Sequence, residues 1–202
     1  LSSLGAPFVF EIAVHHVGED IHFYLAVPRS SLTFATEQIQ GLFPDARVRE
    51  VDDYTVINPH GEIRAARLSL AESYFKPIRT YAEAKVDTLG PIISTLSKLE
   101  GVGDGATIQI LVRPADGGVK KRMHNAIESL KKGYKLSEIM RTDILNVSDV
   151  VQTFGNSSKN EKPKDLVIDE RAVQMIQGKM SHPLFSVIVR IVTSSTTADR
   201  AE

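Results

Sequence analysis

The stretch from Ile108 to Ile127, IQILVRPADGGVKKRMHNAI, contains a complete strand-to-helix joint. Thr107 to Val112 is an almost continuous run of apolar and β-branched residues, which is typical of a strand that lies centrally in a sheet. Pro, Asp and two Gly residues interrupt the run, and apolar residues then recur at helical spacing from Gly118 to Lys132. The stretch therefore predicts a buried strand followed by an amphipathic helix. The buried stripe of that helix is predicted to consist of Ala126, Ile127 and Leu130.

The sequence before this joint contains alternating strand and helix signals, bounded by Gly, Pro, Ser and Asp residues. From Val27 to Arg113 the predicted order is strand, helix, strand, strand, helix, strand. This is the split βαβ order of ferredoxin-like folds, here with an extra N-terminal strand, and it predicts an α+β fold. The predicted elements are a hairpin of Phe8–Val14 and Ile21–Val27, a helix ending near Leu42, strands at Arg47–Val51 and Ile63–Leu70, and a helix from Asp87 to Leu99.

The sequence after the basic helix predicts a change of domain. A further helical stretch, Leu136 to Leu145, precedes a polar segment with the composition of a loop or linker. The predicted division is a ferredoxin-like domain with trailing helices at 1–152, a linker at 153–165, and a partial second α/β unit at 166–202. In that unit we expect a helix up to Met180, a strand at Phe185–Val192 that pairs into a sheet, and a short final helix capped within Thr193–Thr197.

Three strand-to-helix joints, around Pro28, Pro114 and Thr193, are similar: in each, an apolar strand is followed by Pro, Ser, Thr, Asp or Gly residues and then by a helix. A duplicated α/β module would produce this similarity. Any series of βα units would also produce it, so both interpretations stay open. The chain begins at Leu1 and stops within what reads as the first turns of a helix. This suggests an excised piece of a longer protein.

The composition is that of a folded protein with no unusual charge. The chain has 202 residues, is 42% hydrophobic and 24% charged, and carries a formal net charge of −1. Attraction to a polyanion would therefore depend on a local patch. There is no Cys, which excludes disulfides and thiolate metal sites and fits a reducing compartment. No apolar run is long enough to span a bilayer. We expect a cytoplasmic location, with any contact to a membrane made through partners.

A basic cluster on the predicted helix is the candidate binding site for a polyanion. Its candidate residues are Lys120, Lys121, Arg122, Lys131, Lys132 and Lys135, accompanied by His124 and opposed by Glu128. Phosphate contacts from such cations supply most non-specific affinity for nucleic acids. The solvated face of an ordinary helix would look the same. The spacing around Gly117-Gly118 and Gly101-Val102-Gly103 does not match a P-loop, so no nucleotide site and no cofactor is predicted.

The remaining polar residues give weak signals for metal binding or catalysis. His15 and His16 are neighbours on a predicted strand and point to opposite faces, which leaves His15 with His22, near Glu11, as a candidate metal pair. The acid pair Asp52-Asp53 has no His partner in sequence register. The hydroxyls of Ser194 and Ser195 lack a nucleophile motif. The sequence therefore predicts a protein that is not an enzyme and has no metal site.

Four segments, taken in order, resemble the region that precedes the motor in bacterial type IV secretion or conjugation-like ATPases of the HerA and coupling-protein kind. The segments are FVFEIAVHHVGEDIHFYLAVP (8–28), IQGLFPDARVREVDDYT (39–55), KPIRTYAEAKVDTLGPIISTLSKLEGVGDGATIQILVRP (76–114) and HPLFSVIVRIVTSSTTADRAE (182–202). The resemblance covers most of the chain apart from the polar linker.

The resemblance implies an accessory module upstream of a hexameric ATPase that translocates DNA or protein. The Walker motifs of the motor are absent from this sequence, so no ATP-binding residue is carried over to it. The implied role is assembly, substrate handling or docking to a membrane complex. The implied partners are proteins of the secretion or motor assembly and, in the alternative reading, DNA bound by the basic helix, with oligomerisation through the motor domain.

Overall fold

The computed structural model describes residues 6–16, 20–52, 54–99, 103–144 and 168–202. It contains a five-stranded sheet in the order β2-β1-β4-β5-β3, in which all neighbouring strands are antiparallel. The strands are β1 (Phe8–Val14), β2 (Ile21–Ala26), β3 (Glu62–Leu68), β4 (Gly105–Pro114) and β5 (Phe185–Ser195). Together with the helices, this sheet confirms the predicted α+β class.

The helices follow the start signals that the sequence contains. Asp116 caps the basic helix by accepting a hydrogen bond from the Gly118 N–H at 2.5 Å, and Asp169 accepts one from Ala172 at 2.9 Å. A short 3₁₀ turn, Arg29–Ser31, precedes the first α-helix. The α-helices are α1 (Leu32–Leu42), α2 (Tyr81–Ala84), α3 (Gly90–Leu96), α4 (Gly117–Lys131), α5 (Leu136–Ile144), α6 (Glu170–Met180) and α7 (Ala198–Ala201).

The order and direction of the strands confirm one part of the predicted topology and correct another. β3 and β4 both run antiparallel to β5, so they are parallel to each other, with α3 between them in the chain and β5 between them in the sheet. This is a split βαβ arrangement. The strand predicted at Arg47–Val51 does not form, and Val48 and Val51 are exposed there. Among the described residues the segment has no ladder partner, because the longer and more apolar β5 takes the position between β4 and β3.

The chain divides into two compact units whose boundaries differ from the predicted domains. Unit 1 comprises Leu1–Ser69, Thr80–Pro114 and Phe185–Glu202, and unit 2 comprises Leu70–Arg79 and Ala115–Leu184. β5 is paired and α7 is short, as predicted, but β5 joins the single sheet and does not begin a sheet of its own. The helices between β4 and β5 are therefore an insertion between two neighbouring strands. The predicted linker, 153–165, lies outside the described residues.

The two faces of the sheet in unit 1 differ in chemistry. One register row runs across all five strands as Leu25, Phe10, Ile110, Val189 and Leu68, and we call the face that carries it the apolar face. α3 covers one end of this face, where Leu96 packs against Val14 and Ala106. The adjacent register row, which we call the polar row, points to the opposite side of the sheet, which we call the polar face. The polar row consists of Tyr24, Glu11, Gln109, Arg190 and Arg67.

The end of the sheet near the start of β4 is tightly packed against the segment that precedes β3. A Cβ placed on Gly105 would lie 2.1 Å from the carbonyl oxygen of Val56, so only glycine fits at this position. The backbone N–H of Asn58 donates to Ser194 Oγ at 2.9 Å, and the Asn58 side chain donates to the carbonyl of Gly103 at 3.2 Å. Gly103 has a φ of 104°, which favours glycine. These contacts fix the segment that carries Tyr54 and Val56.

Unit 2 has a helical core of its own. The buried side chains of α4 (Met123, Ala126, Ile127 and Leu130) pack with Ala172 and Ile176 of α6 and with Phe75. The predicted stripe of Ala126, Ile127 and Leu130 is thus confirmed. Lys179 of α6 donates from Nζ to the carbonyl oxygens of Tyr74 and Lys76, at 2.5 Å and 3.0 Å, and burial lowers its pKa. This amine ties the segment around Phe75 to α6.

Candidate functional site

Three residues of the polar row, Glu11, Gln109 and Arg190, form a hydrogen-bond network in unit 1 together with Tyr54. Glu11 Oε2 accepts from Gln109 Nε2 at 3.0 Å and also from the hydroxyl of Tyr54. The side-chain oxygen of Gln109, Oε1, in turn accepts from Arg190 Nε. Glu11 and Gln109 are half-buried, whereas Arg190 and its cross-strand neighbour Arg67 are exposed. The network therefore leads from a half-buried carboxylate to the guanidinium group of Arg190 at the surface, and Arg67 lies beside it on the next strand.

A cluster of four rings occupies the other end of the polar row. The rings of Tyr24 and Tyr54 stack with centroids 4.1 Å apart, and the ring of His15 stacks on Tyr54 at 5.1 Å. His22 lies 4.8 Å from His15 and is exposed. The Tyr24 hydroxyl is 2.8 Å from His15 Nε2. We call these four residues the ring cluster.

The pKa shifts of three residues in the ring cluster, His15, Tyr24 and Tyr54, favour their neutral forms. Burial lowers the pKa of His15, and the nearby imidazoles of His22 and His16 lower it further. Burial also raises the pKa of both tyrosines, and for Tyr54 the hydrogen bond to Glu11 adds to this rise. At neutral pH both His15 and Tyr24 are thus uncharged, and the tautomer of His15 decides which of the two donates in their hydrogen bond. His15, Tyr24 and Tyr54 therefore present uncharged rings beside the charged end of the row.

The structure brings the predicted metal pair together but occupies it with other contacts. His15 and His22 are in ring contact, and Glu11 already accepts hydrogen bonds from Tyr54 and Gln109. The carbonyl of His16 accepts from the Gly103 N–H at 2.7 Å. Across residues 6–16, 20–52, 54–99, 103–144 and 168–202, no three side chains of His, Asp or Glu gather in a way that could hold a metal ion.

The predicted basic cluster in unit 2 separates into two groups. Lys120, Lys121 and Lys132 are exposed, as is Lys131, whose Nζ lies 3.0 Å from Glu128 Oε1. At 100° per residue these lysines, together with His124, lie within one third of the helix circumference. Lys135 is exposed in the segment between α4 and α5. We call Lys120, Lys121, His124, Lys131 and Lys132 the basic face of α4.

Arg122 does not belong to the basic face. It is half-buried, its Nε donates to the Tyr74 hydroxyl at 3.0 Å, and its guanidinium carbon lies 5.9 Å from the centre of the Tyr74 ring. The sequence could not reveal this contact, because Tyr74 lies 48 residues earlier in the chain. Arg122 therefore has a structural role within unit 2, and the candidate polyanion site is better described without it.

A buried acid near the end of the sheet was not predicted. Asp104 accepts a hydrogen bond from Ser195 Oγ at 2.6 Å and forms an ion pair with Arg200. Ser194 accepts from the backbone of Asn58, so both candidate hydroxyls have structural partners. Asp52 is exposed, and Asp53 lies outside the described residues. The signal that could have identified Asp104 is a lone acid between two glycines directly before a buried strand.

Comparison with known proteins gives one match, which spans nearly the whole sequence. A family described as a domain of unknown function, DUF8128, matches residues 5–202. The chain belongs to the DUF8128 family. No curated protein and no solved structure matches the chain.

The DUF8128 match includes both units and therefore every candidate site described above. Within the part of the chain that the structure describes, none of the helices combines the length and apolar character needed to cross a bilayer. The family match does not indicate which surface carries the function. The apolar face, the polar row and the basic face of α4 must therefore be compared by their physical chemistry.

Proposed function

We propose that this chain is a non-catalytic assembly module of a type IV secretion or DNA-translocation ATPase, located in the cytoplasm. The observation that carries the proposal is the apolar face of the sheet. Five large apolar side chains there are between 47% and 65% exposed, and they come from four of the five strands. Exposed apolar patches of this kind mark protein–protein contacts. The residues are Phe10, Phe23, Leu68, Phe185 and Val187.

The size of the apolar face favours a different protein as the partner. Five strands at a spacing of about 4.8 Å, with about seven residues each at about 3.3 Å, give a face of roughly 550 Å². Because α3 covers one end of it, roughly 400 Å² remains open. Two copies packed face to face would bury about 800 Å² in total, which is less than the roughly 1,200 Å² of a stable standard interface. A partner that also contacts the rim of the sheet would bury more. The resemblance to the region before a translocation motor makes that motor assembly the partner that we propose.

The first prediction concerns this interface. The double variant Phe10→Ser, Phe185→Ser is expected to weaken association with the motor assembly at least tenfold, because buried aromatic anchors dominate interface energies. Association can be measured by native co-purification and by titration with the purified ATPase. The control is Phe34→Ser on α1, a Phe of similar exposure at 60% that lies outside the sheet. The proposal fails if the wild-type chain does not associate with an ATPase, or if both variants associate equally.

A second candidate function, nucleic-acid binding, is supported by the basic face of α4. Five side chains that can carry positive charge line one side of the helix, and only Glu128 interrupts them. The hydrogen bond and charge of Lys131 lower the pKa of Glu128, so this acid stays ionised and offsets one lysine. Lys120, Lys121 and Lys132 form no ion pair with any residue in the described ranges, so they are the cations best placed to meet phosphates.

The second prediction tests this candidate. If Lys120, Lys121 and Lys132 contact phosphates, replacing all three by Glu will flatten the logarithmic salt dependence of duplex binding by about 2.7, since each contact contributes about 0.9. Binding of a labelled duplex between 50 and 200 mM salt gives the slope. Arg171→Glu, a charge reversal at an exposed position of α6, should leave the slope unchanged. An unchanged slope in the triple variant would assign the three lysines to solvation.

A further inference from the structure

Two arginines face each other on the polar face of the sheet. Arg67 of β3 and Arg190 of β5 are direct cross-strand partners, and both side chains are exposed. Like charges directly opposite one another destabilise a sheet. In the described residues neither guanidinium forms an ion pair with a carboxylate, whereas Arg64 on the other face of β3 lies 3.8 Å from Glu62. The pair is thus a local concentration of positive charge that an oxyanion would relieve.

Arg190 is held in place by the rest of the polar row. Its Nε donates to Gln109, which donates to Glu11, which also accepts from Tyr54. This series of hydrogen bonds uses one of the five N–H donors of the Arg190 guanidinium. The terminal nitrogens are the part of the group that binds phosphate bidentately. These hydrogen bonds therefore hold Arg190 in position at the sheet surface before any ligand binds.

The ring cluster lies at the opposite end of the same row. Tyr24 is on β2 and Arg67 is on β3, at the two edges of the sheet, so the row extends over about 19 Å. The charge of Arg49 acts on Tyr24 and opposes the rise in its pKa, which places a further cation near the rings. His22 gives the cluster an exposed ring. A surface with rings at one end and paired guanidinium groups at the other matches the needs of bases and phosphates, respectively.

We propose that the polar face of the sheet binds single-stranded nucleic acid. Arg67 and Arg190 together hold one phosphate, and an unpaired base stacks on the ring cluster through the exposed side of His22. Stacking needs an unpaired base, so a duplex is excluded from this mode. An acidic peptide would satisfy the arginines but would gain nothing from the rings. The single carboxylate in the row, Glu11, is half-buried and accepts two hydrogen bonds, which offset part of its repulsion of the ligand.

This site is independent of the proposed assembly function, because it uses the opposite face of the sheet. It also differs from the basic face of α4, which belongs to unit 2. The test uses the full chain, a labelled twelve-residue oligothymidine, and an abasic strand with the same number of phosphates, at 50 mM salt. The two strands separate the contribution of the bases from that of the phosphates.

Arg67→Glu should weaken oligothymidine binding at least tenfold, whereas Arg64→Glu, the same change on the same strand but on the other face, should change it less than twofold. His22→Ala should weaken oligothymidine binding at least fivefold and leave abasic binding unchanged. The proposal is overturned if the wild type does not bind oligothymidine, or if the two arginine variants behave alike. Equal affinity for both strands in the wild type would also overturn it, since that result describes a general anion site that an acidic peptide could occupy.

Discussion

Replacing Gly105 by Ala is expected to lower the melting temperature of unit 1 by roughly 6 to 12 °C. The new Cβ would lie 2.1 Å from the carbonyl oxygen of Val56 and 3.1 Å from the backbone nitrogen of His16. Both neighbours are backbone atoms, so the strand or the crossing segment must move. We expect this to cost about 3 kcal/mol, the upper end for overpacking, which gives the stated shift for a chain of this size. Thermal unfolding followed by circular dichroism measures it.

The matched control is Gly41→Ala, in α1 of the same unit. A Cβ on Gly41 meets no other atom within 4 Å, and the position is helical. This change should be neutral or should stabilise the protein by up to about 1 kcal/mol, because alanine favours the helix. Equal melting temperatures for Gly105→Ala and the wild type would mean that the segment around Val56 does not pass so close to β4 in solution.

Ile176→Ala is expected to lower the free energy of unfolding of unit 2 by about 2 to 5 kcal/mol. The side chain is fully buried between α6 and α4, and truncation removes apolar contacts and leaves a cavity. Urea unfolding followed at 222 nm, where the helices of unit 2 contribute strongly, measures the loss.

The control for this variant is Gln174→Ala, an exposed position two residues away on α6. It should change the free energy by less than about 0.5 kcal/mol. If the two variants unfold at the same urea concentration, Ile176 does not lie in a packed core.

The parts of the fold that depend on local patterns could be predicted, and those that depend on distant pairing could not. The strand and helix of the 108–127 stretch appear in the structure because their apolar periodicity and the cap at Asp116 act locally. Arg47–Val51 contains two β-branched valines, which favour a strand, but no strand in the described residues pairs with it. The position of β5 between β4 and β3 was not foreseen, because the order of strands is decided by the competition of all strands for partners.

The candidate sites follow the same division. The lysines of α4 were found from their spacing on one helix, whereas the contact of Arg122 with Tyr74 depends on a segment far away in the sequence. The polar row needs a register across five strands, which the sequence does not display. A weaker signal was nonetheless present. Gln109 and Arg190 each interrupt an otherwise apolar strand with a polar residue, and such an interruption is a reason to look for partners on the neighbouring strands.

The insertion of Ala115–Leu184, the larger part of unit 2, between β4 and β5 has a consequence for how the chain folds during synthesis. Among the strands that the structure describes, β3 pairs with β5 alone, through partners such as Glu62 and Ser195. More than a hundred residues after β3 must therefore be made before this pairing can form. Unit 2 is completed before β5. The first and last residues of the inserted segment are joined by the hydrogen bond from the Ala115 N–H to the Leu184 carbonyl at 2.9 Å. When the helices fold, they close the long loop between β4 and β5 before β5 pairs. The start of β5 is then held next to the unpaired edge of β4, and pairing begins at Pro114 and Phe185.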